Sequence, residues 1–266
     1  MSRPSAIAIA AHPDDIEFTM AGTLCLLKEA GYDTHYVNVS TGSCGSLKWK
    51  PGPLRKIRRN EARKSAALLG AHHHESGADD LEILYTVPLL RWLTGIIREV
   101  KPTIVLTHPP EDYMEDHMTT CRLAVTAAFS RGIRNFTSKP TREAWSGATT
   151  VYHAMPVGLQ DALRRPVIAG AWVNTASVQS TKLAALACHE SQHSWLQATQ
   201  GMNSYLRDME ETSLAVGRQS KRFKHAEGWH RHSHMGFCSA HDDPLRDALG
   251  KNYLLNHAFE KSLMRT

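Results

Sequence analysis

The sequence predicts an α/β fold, a mostly parallel sheet with helices on both faces and an elaborated C-terminal part. Two observations carry that expectation. Apolar strand-like runs alternate with helix-length runs through the first half of the chain, a rhythm that sets successive strands parallel and lays helices across the sheet. Two acid-rich turns, "HPDD" at 12–15 and "HPPEDYMEDH" at 108–117, follow apolar runs, at the strand ends where open sheets of this kind bind ligands.

The elements follow in order. Residues 5–11 (SAIAIAA) read as a buried strand, 17–31 as a helix closed by Gly31, and 34–40 (THYVNVS) as the next strand. After a glycine- and proline-bearing loop at 41–53 comes a helix ended by Gly70. The three histidines 72–74 read as polar loop, and 81–85 (LEILY) as a short third strand. A helix around 86–100, a fourth strand at 102–108 (PTIVLTH) and a helix at 117–132 complete the first half. Beyond them stand a strand near 165–175, a helix over 177–196 and a histidine-rich tail with no clear pattern. With no internal repeat or low-complexity linker, 266 residues suit one domain over 1–266.

Composition removes several functional classes. No apolar run approaches the roughly 20 residues that span a bilayer, and the N-terminus lacks a signal-peptide pattern, so a soluble, cytoplasmic protein is expected. Five scattered cysteines, Cys25, Cys44, Cys121, Cys188 and Cys238, with no C-x-x-C, argue against a disulfide framework or a cysteine-rich zinc site. The net charge of +5 is spread along the chain, and the one dense basic run, 55–64 (RKIRRNEARK), has no aromatic platform beside it, so no nucleic-acid partner is expected. No G-x-G-x-x-G follows the first strand, which argues against a dinucleotide.

The turn 12–15 points instead to a metal. Adjacent Asp14 and Asp15 repel each other, and a cation between the two acidic turns would keep both ionised. A tight turn can bring His12 and Asp15 onto one ion. His117, at the start of the helix after the fourth strand, is the natural third ligand, which leaves a position for water. Asp14 would then be free to act on that water as a base. Zinc is expected, although another divalent first-row ion suits two histidines and an aspartate. The plainer alternative is a capped turn, with Asp14 or Asp15 at the N-terminus of the following helix.

These residues carry a family likeness. "AHPDDIE" at 11–17 and "PEDYMEDH" at 110–117 resemble the signatures of the PIG-L/LmbE family of zinc-dependent N-acetylglucosamine deacetylases, with further likenesses in "IRRNEARKSAALLG", "KLAALACHESQ" and "AEGWHRH". The resemblance implies a Rossmann-like three-layer sandwich. It implies zinc on His12, Asp15 and His117, with Asp14 as general base. It also implies Arg58 facing the substrate, with Asp80 a weaker substrate-binding candidate. The expected reaction is hydrolysis of an acetyl or small acyl group from the amine of an N-acetylated amino sugar or its conjugate, a small-molecule partner. In one respect the chain departs from the family. The family's second motif opens with a histidine that polarises the carbonyl or protonates the leaving amine, and Met114 stands at the matching position. His234, His241 or Asp116 would have to take over that work.

Two rival readings remain. "HESQH" at 189–193 matches the H-E-x-x-H helix of zinc metallopeptidases, with His189 and His193 one turn apart and Glu190 as base, although Leu196 and Thr199 depart from the extended motif. Loss of the family histidine at Met114 also allows a weakened sugar- or metal-binding protein. Assembly into a homo-oligomer stays open at this level.

Overall fold

In the computed structural model, which describes residues 3–200 and 205–263, the alternation in the first strand organises the whole molecule. Strand β1 (Ser5–Ala10) turns Ala6, Ala8 and Ala10 to one helical layer and Ile7 and Ile9 to the other. A strand apolar on both faces belongs in the middle of a covered sheet. It pairs in parallel with β2 (Asp33–Asn38) on one side and β4 (Ile104–Thr107) on the other. Outside these lie β3 (His72–His74), parallel to β2, and β5 (Thr150–Ala154), parallel to β4. An antiparallel group, β7 (Ala226–Arg231), β6 (Ala171–Asn174) and β8 (Tyr253–Leu255), extends the sheet beyond β5. The order is β3-β2-β1-β4-β5-β7-β6-β8.

One layer holds α1 (Asp15–Thr19), α2 (Ala21–Glu29) and α3 (Pro51–Leu68); α4 (Val87–Val100) and α5 (Glu115–Ser130) form the other. Helices α6 (Gln179–Leu186), α7 (Glu190–Gln200) and α8 (Tyr205–Ser220) follow, then the short α9 (Pro244–Leu249) and α10 (His257–Leu263). Because β2 and β4 leave β1 in opposite directions, the crevice between the C-terminal ends of β1 and β4 is the switch point of the sheet. Both acid-rich turns open into it.

Several elements differ from the sequence expectation, each for a physical reason. The helix expected over 17–31 is two helices broken at Met20, because both oxygens of the buried Glu227 accept the N–H groups of Gly22 and Thr23 and so cap a new N-terminus. Lys182, fully buried, pairs with Glu227 at 2.7 Å and ties α6 to this junction. The third strand is formed by the histidines 72–74, not by 81–85, which runs irregularly with Ile83 in the core. The helix expected over 177–196 breaks at 187–189, where His189 turns inward to Glu17. Among the described residues, no helix is long and apolar enough to cross a membrane.

Candidate active site

The turn after β1 separates its two aspartates. The His12 N–H donates to Asp15 Oδ2 at 2.7 Å, and Asn38 holds the His12 carbonyl at 2.7 Å. Asp14 sits at φ 110°, a left-handed conformation that costs a non-glycine residue about 1–3 kcal/mol and is found where function requires it. As a result the two side chains enter different surroundings. Asp14 turns to Tyr205, whose hydroxyl donates to Oδ2 at 2.5 Å, and to Arg58, 3.7 Å away. Asp15 turns to three histidines.

Those histidines define the cluster. Asp15 lies 3.3 Å from His12 Nδ1, and 3.4 Å from both His108 Nε2 and His117 Nε2. One ligand atom each from His12, Asp15 and His117 fall within 4.8 Å of one another. Both ring nitrogens of His117 are buried without a well-formed hydrogen bond, an arrangement that costs free energy unless something else satisfies them. Two imidazoles and a carboxylate are a donor set that suits zinc or a similar divalent ion. Surrounding carboxylates orient the rings, as outer partners of metal-bound histidines do: Asp116 accepts from His12 Nε2 at 2.9 Å, and Asp112 lies 3.3 Å from His117 Nδ1. A second group, His108, Asp112 and His117, meets the same spatial criterion and shares His117.

The electrostatics of the metal-free chain favour a cation. Burial alone would lower His12, but Asp116 and Asp15 outweigh it and raise it to about 9. His117, likewise opposed by burial, is raised to about 10 by Asp15 and Asp112. Asp15 is driven well below the carboxylate range, because its histidine neighbours outweigh burial. Asp14 goes the other way: burial raises it to about 6, against the pull of Arg58. Two adjacent carboxyls thus have opposite tendencies, one fixed as an anion and one able to take a proton.

The other sequence candidates fall in distinct places. Arg58 is buried behind the turn, where its guanidinium donates to the Pro13 carbonyl and to Gln192. Gly42, at φ +74°, lets the 41–50 loop cross this guanidinium, since a Cβ there would lie 2.6 Å from Arg58 Nε. Asp80 accepts from Ser40 Oγ and from the N–H groups of Gly42 and Cys44, so both its oxygens hold the loop. Asp116 also receives the Leu81 N–H at 2.9 Å. His234 and His241 are exposed. The tail histidine at the end of β7 that bonds inward is His232, 2.9 Å from His153, whose Nδ1 donates to the His108 carbonyl.

"HESQH" has a different part. His189 contacts Glu17 at 3.2 Å, Ser191 donates to Glu61, and Gln192 receives Arg58. Among the described residues this segment forms no metal-holding group, so the metallopeptidase arrangement is not present and the segment braces the floor of the site instead. Nearby, a cavity of about 350 Å³ lies between the 46–49 loop and α7, with Trp49, Ile57, Ser191 and Trp195 in its wall and none of the cluster residues. Sequence reasoning missed Tyr205, His108 and Asp112. The latter two lay inside a turn already marked by its acids, but nothing in the sequence linked Tyr205 to a residue 191 positions away.

Residues 7–129 match the family model "PIG-L: GlcNAc-PI de-N-acetylase". The chain is 31% identical over 200 residues to a 4-oxalmesaconate hydratase of Pseudomonas putida, covering 72% of this chain and 75% of the relative. It is 29% identical over 192 residues to a diacetylchitobiose deacetylase of Thermococcus kodakarensis, covering 70% and 69%. Among solved structures, the 4-carboxy-2-hydroxymuconate hydratase of Pseudomonas putida KT2440 superposes with a TM-score of 0.72 at 25% identity, over 86% of this chain and 95% of that one. A Rossmann-like sheet, both signature turns and an extended relative thus agree, and the chain belongs to the PIG-L family of enzymes.

Proposed function

We propose that this protein is a metal-dependent hydrolase that removes an acetyl or small acyl group from the amine of an N-acetylated amino sugar or its conjugate. The observation that carries the reading is Asp14, a buried carboxyl raised to about 6 beside the group formed by His12, Asp15 and His117. An ion held by those three residues would supply Lewis acidity, easing the deprotonation of water near neutral pH and drawing charge from a carbonyl oxygen. Asp14 accepts the proton of the attacking water, which its position near neutrality favours. Tyr205 fixes its Oδ2, and Arg58 holds the Pro13 carbonyl behind it, so the base keeps one orientation. The proton taken from water is the one the departing amine needs, so Asp14 can return it as the C–N bond breaks. This single shuttle offers a way around Met114. Asp116 has its lowered carboxylate committed to His12 and to the Leu81 N–H, a weaker basis for a proton donor.

A second reading has its own support. The 31% identical relative is a hydratase, and adding water across a carbon–carbon double bond requires no protonated leaving amine, the step for which Met114 is unsuited. The same base and cluster would then serve an unsaturated carboxylate. A panel separates the two: metal-loaded wild type and Asp14→Asn are given N-acetylglucosamine conjugates, with released acetate measured, and conjugated unsaturated dicarboxylates, with loss of ultraviolet absorbance measured. Acetate release that depends on Asp14 supports the deacetylase; absorbance loss without acetate release supports the hydratase. Activity undiminished in Asp14→Asn contradicts both.

A further inference from the structure

The histidines at 72–74 have no part in the active site. They form the outermost strand, β3, where the parallel register sets His35 opposite His72 and Val37 opposite His74. Side chains alternate along a strand, so His72 and His74 share the face of His35, while His73 lies on the other face and stacks on Tyr36. His35 stands between the two, its ring centroid 5.1 Å from that of His72 and 5.2 Å from that of His74. Its Nδ1 is 2.9 Å from His74 Nε2.

We propose that His35, His72 and His74 form a second transition-metal site, separate from the active site, that clamps β3 to β2 at the edge of the sheet. Two nitrogens bound at about 2.0–2.1 Å to one ion stand roughly 2.8–3.4 Å apart, depending on the angle between them. The pair His35–His74 already has that separation. An H-x-H run on an extended strand aims both rings to one side, and the partner ring from the neighbouring strand completes a three-nitrogen set. Among the described residues the three rings do not bring one nitrogen each within 4.8 Å of one another, so His72, which is exposed, must turn inward to complete the set. Burial lowers His35 to about 4 and also lowers His74, and a change of tautomer frees the ring lone pairs that face each other. Glu99, on the last turns of α4, acts on both rings with its negative charge. Three imidazoles suit Zn2+, Ni2+ or Cu2+ and not Mg2+ or Ca2+. β3 contributes only three residues to the ladder, so a cross-link there secures a weakly held edge.

The inference does not depend on how the active site is read. Its test uses untagged protein carrying His117→Ala, which removes the residue shared by both active-site groups, titrated with Zn2+ and followed by thermal unfolding and by metal retained after gel filtration. The expected result is a rise in the unfolding midpoint with Zn2+ and about one retained equivalent, both lost when His72→Gln and His74→Gln are added. A Zn2+-dependent rise that survives those substitutions, or no rise in the His117→Ala protein, overturns the proposal. If the triple variant loses its native circular dichroism, His72→Gln alone in the same background decides. Zn2+ affinity weakened roughly tenfold or more supports the site, and unchanged affinity overturns it.

Discussion

At the scale of single residues, the pair Asp14–Asp15 carries the chemistry, and one backbone angle divides it. The left-handed turn sends Asp15 among histidines, which fix its charge, and Asp14 against Tyr205 in a dry setting that raises it to about 6. Asp14→Asn is expected to cut turnover by about 10²–10⁴-fold while bound metal, measured by elemental analysis, stays unchanged. Because the base must be ionised, kcat/KM should rise with pH on an acid limb at or below about 6, a bound cation pulling it lower. The Tyr205 hydrogen bond stabilises the ionised form, so Tyr205→Phe should move that limb to higher pH; an unmoved limb would remove Tyr205 from the account. In the metal-free chain His12, at about 9, and His117, at about 10, are both charged at pH 7. Ligation needs them neutral, so metal uptake at pH 7 should release about two protons, with apparent affinity climbing as pH rises towards those values. Calorimetry in buffers of differing ionisation enthalpy reads this release, and a buffer-independent heat would contradict it.

At the scale of elements, much rests on buried charges that join segments far apart in sequence. Lys182, Glu227 and the N–H groups of Gly22 and Thr23 hold α6, β7 and α2 together. Removing one partner of such a pair leaves the other charge uncompensated, so Lys182→Ala should destabilise the fold by about 3–5 kcal/mol in denaturant unfolding. Glu17 is similar: although burial opposes it, His189 and Ser65 hold its carboxyl below the ordinary 4.5. A depressed folded value lends stability that is present above about pH 4.5 and lost as pH falls through the folded value. Glu17→Gln should therefore flatten the acid side of the melting-temperature profile. These contacts also mark what was legible in the sequence. Periodicity located β1, β2 and β4 with their helices to within a few residues, because local apolar pattern decides them. It failed at β3, since three histidines carry no strand pattern, and at β5, β7 and β8, whose sequences gave no local sign of the pairings that form them. It also failed at the breaks near Met20 and at 187–189, which distant carboxylates impose. Both signature turns were legible because each is a short run; Tyr205 and the bracing role of Arg58 depend on the assembled fold.

At the scale of the whole molecule, the sheet reverses its order between β1 and β4 and so opens a crevice that receives both acidic turns. The parallel half builds that crevice. The later segments close around it, α8 bringing Tyr205, the stretch before and within α7 bringing His189 and Gln192, and the end of β7 leading to His232. The central claim is that His12, Asp15 and His117 hold one catalytic ion. The most direct test is tightly bound metal per chain, by elemental analysis after exhaustive dialysis, in wild type, His117→Ala and His189→Ala. The account predicts that wild type and His189→Ala each hold about one tightly bound equivalent more than His117→Ala, over and above any held by His35, His72 and His74. Metal retained in His117→Ala but lost in His189→Ala would contradict it.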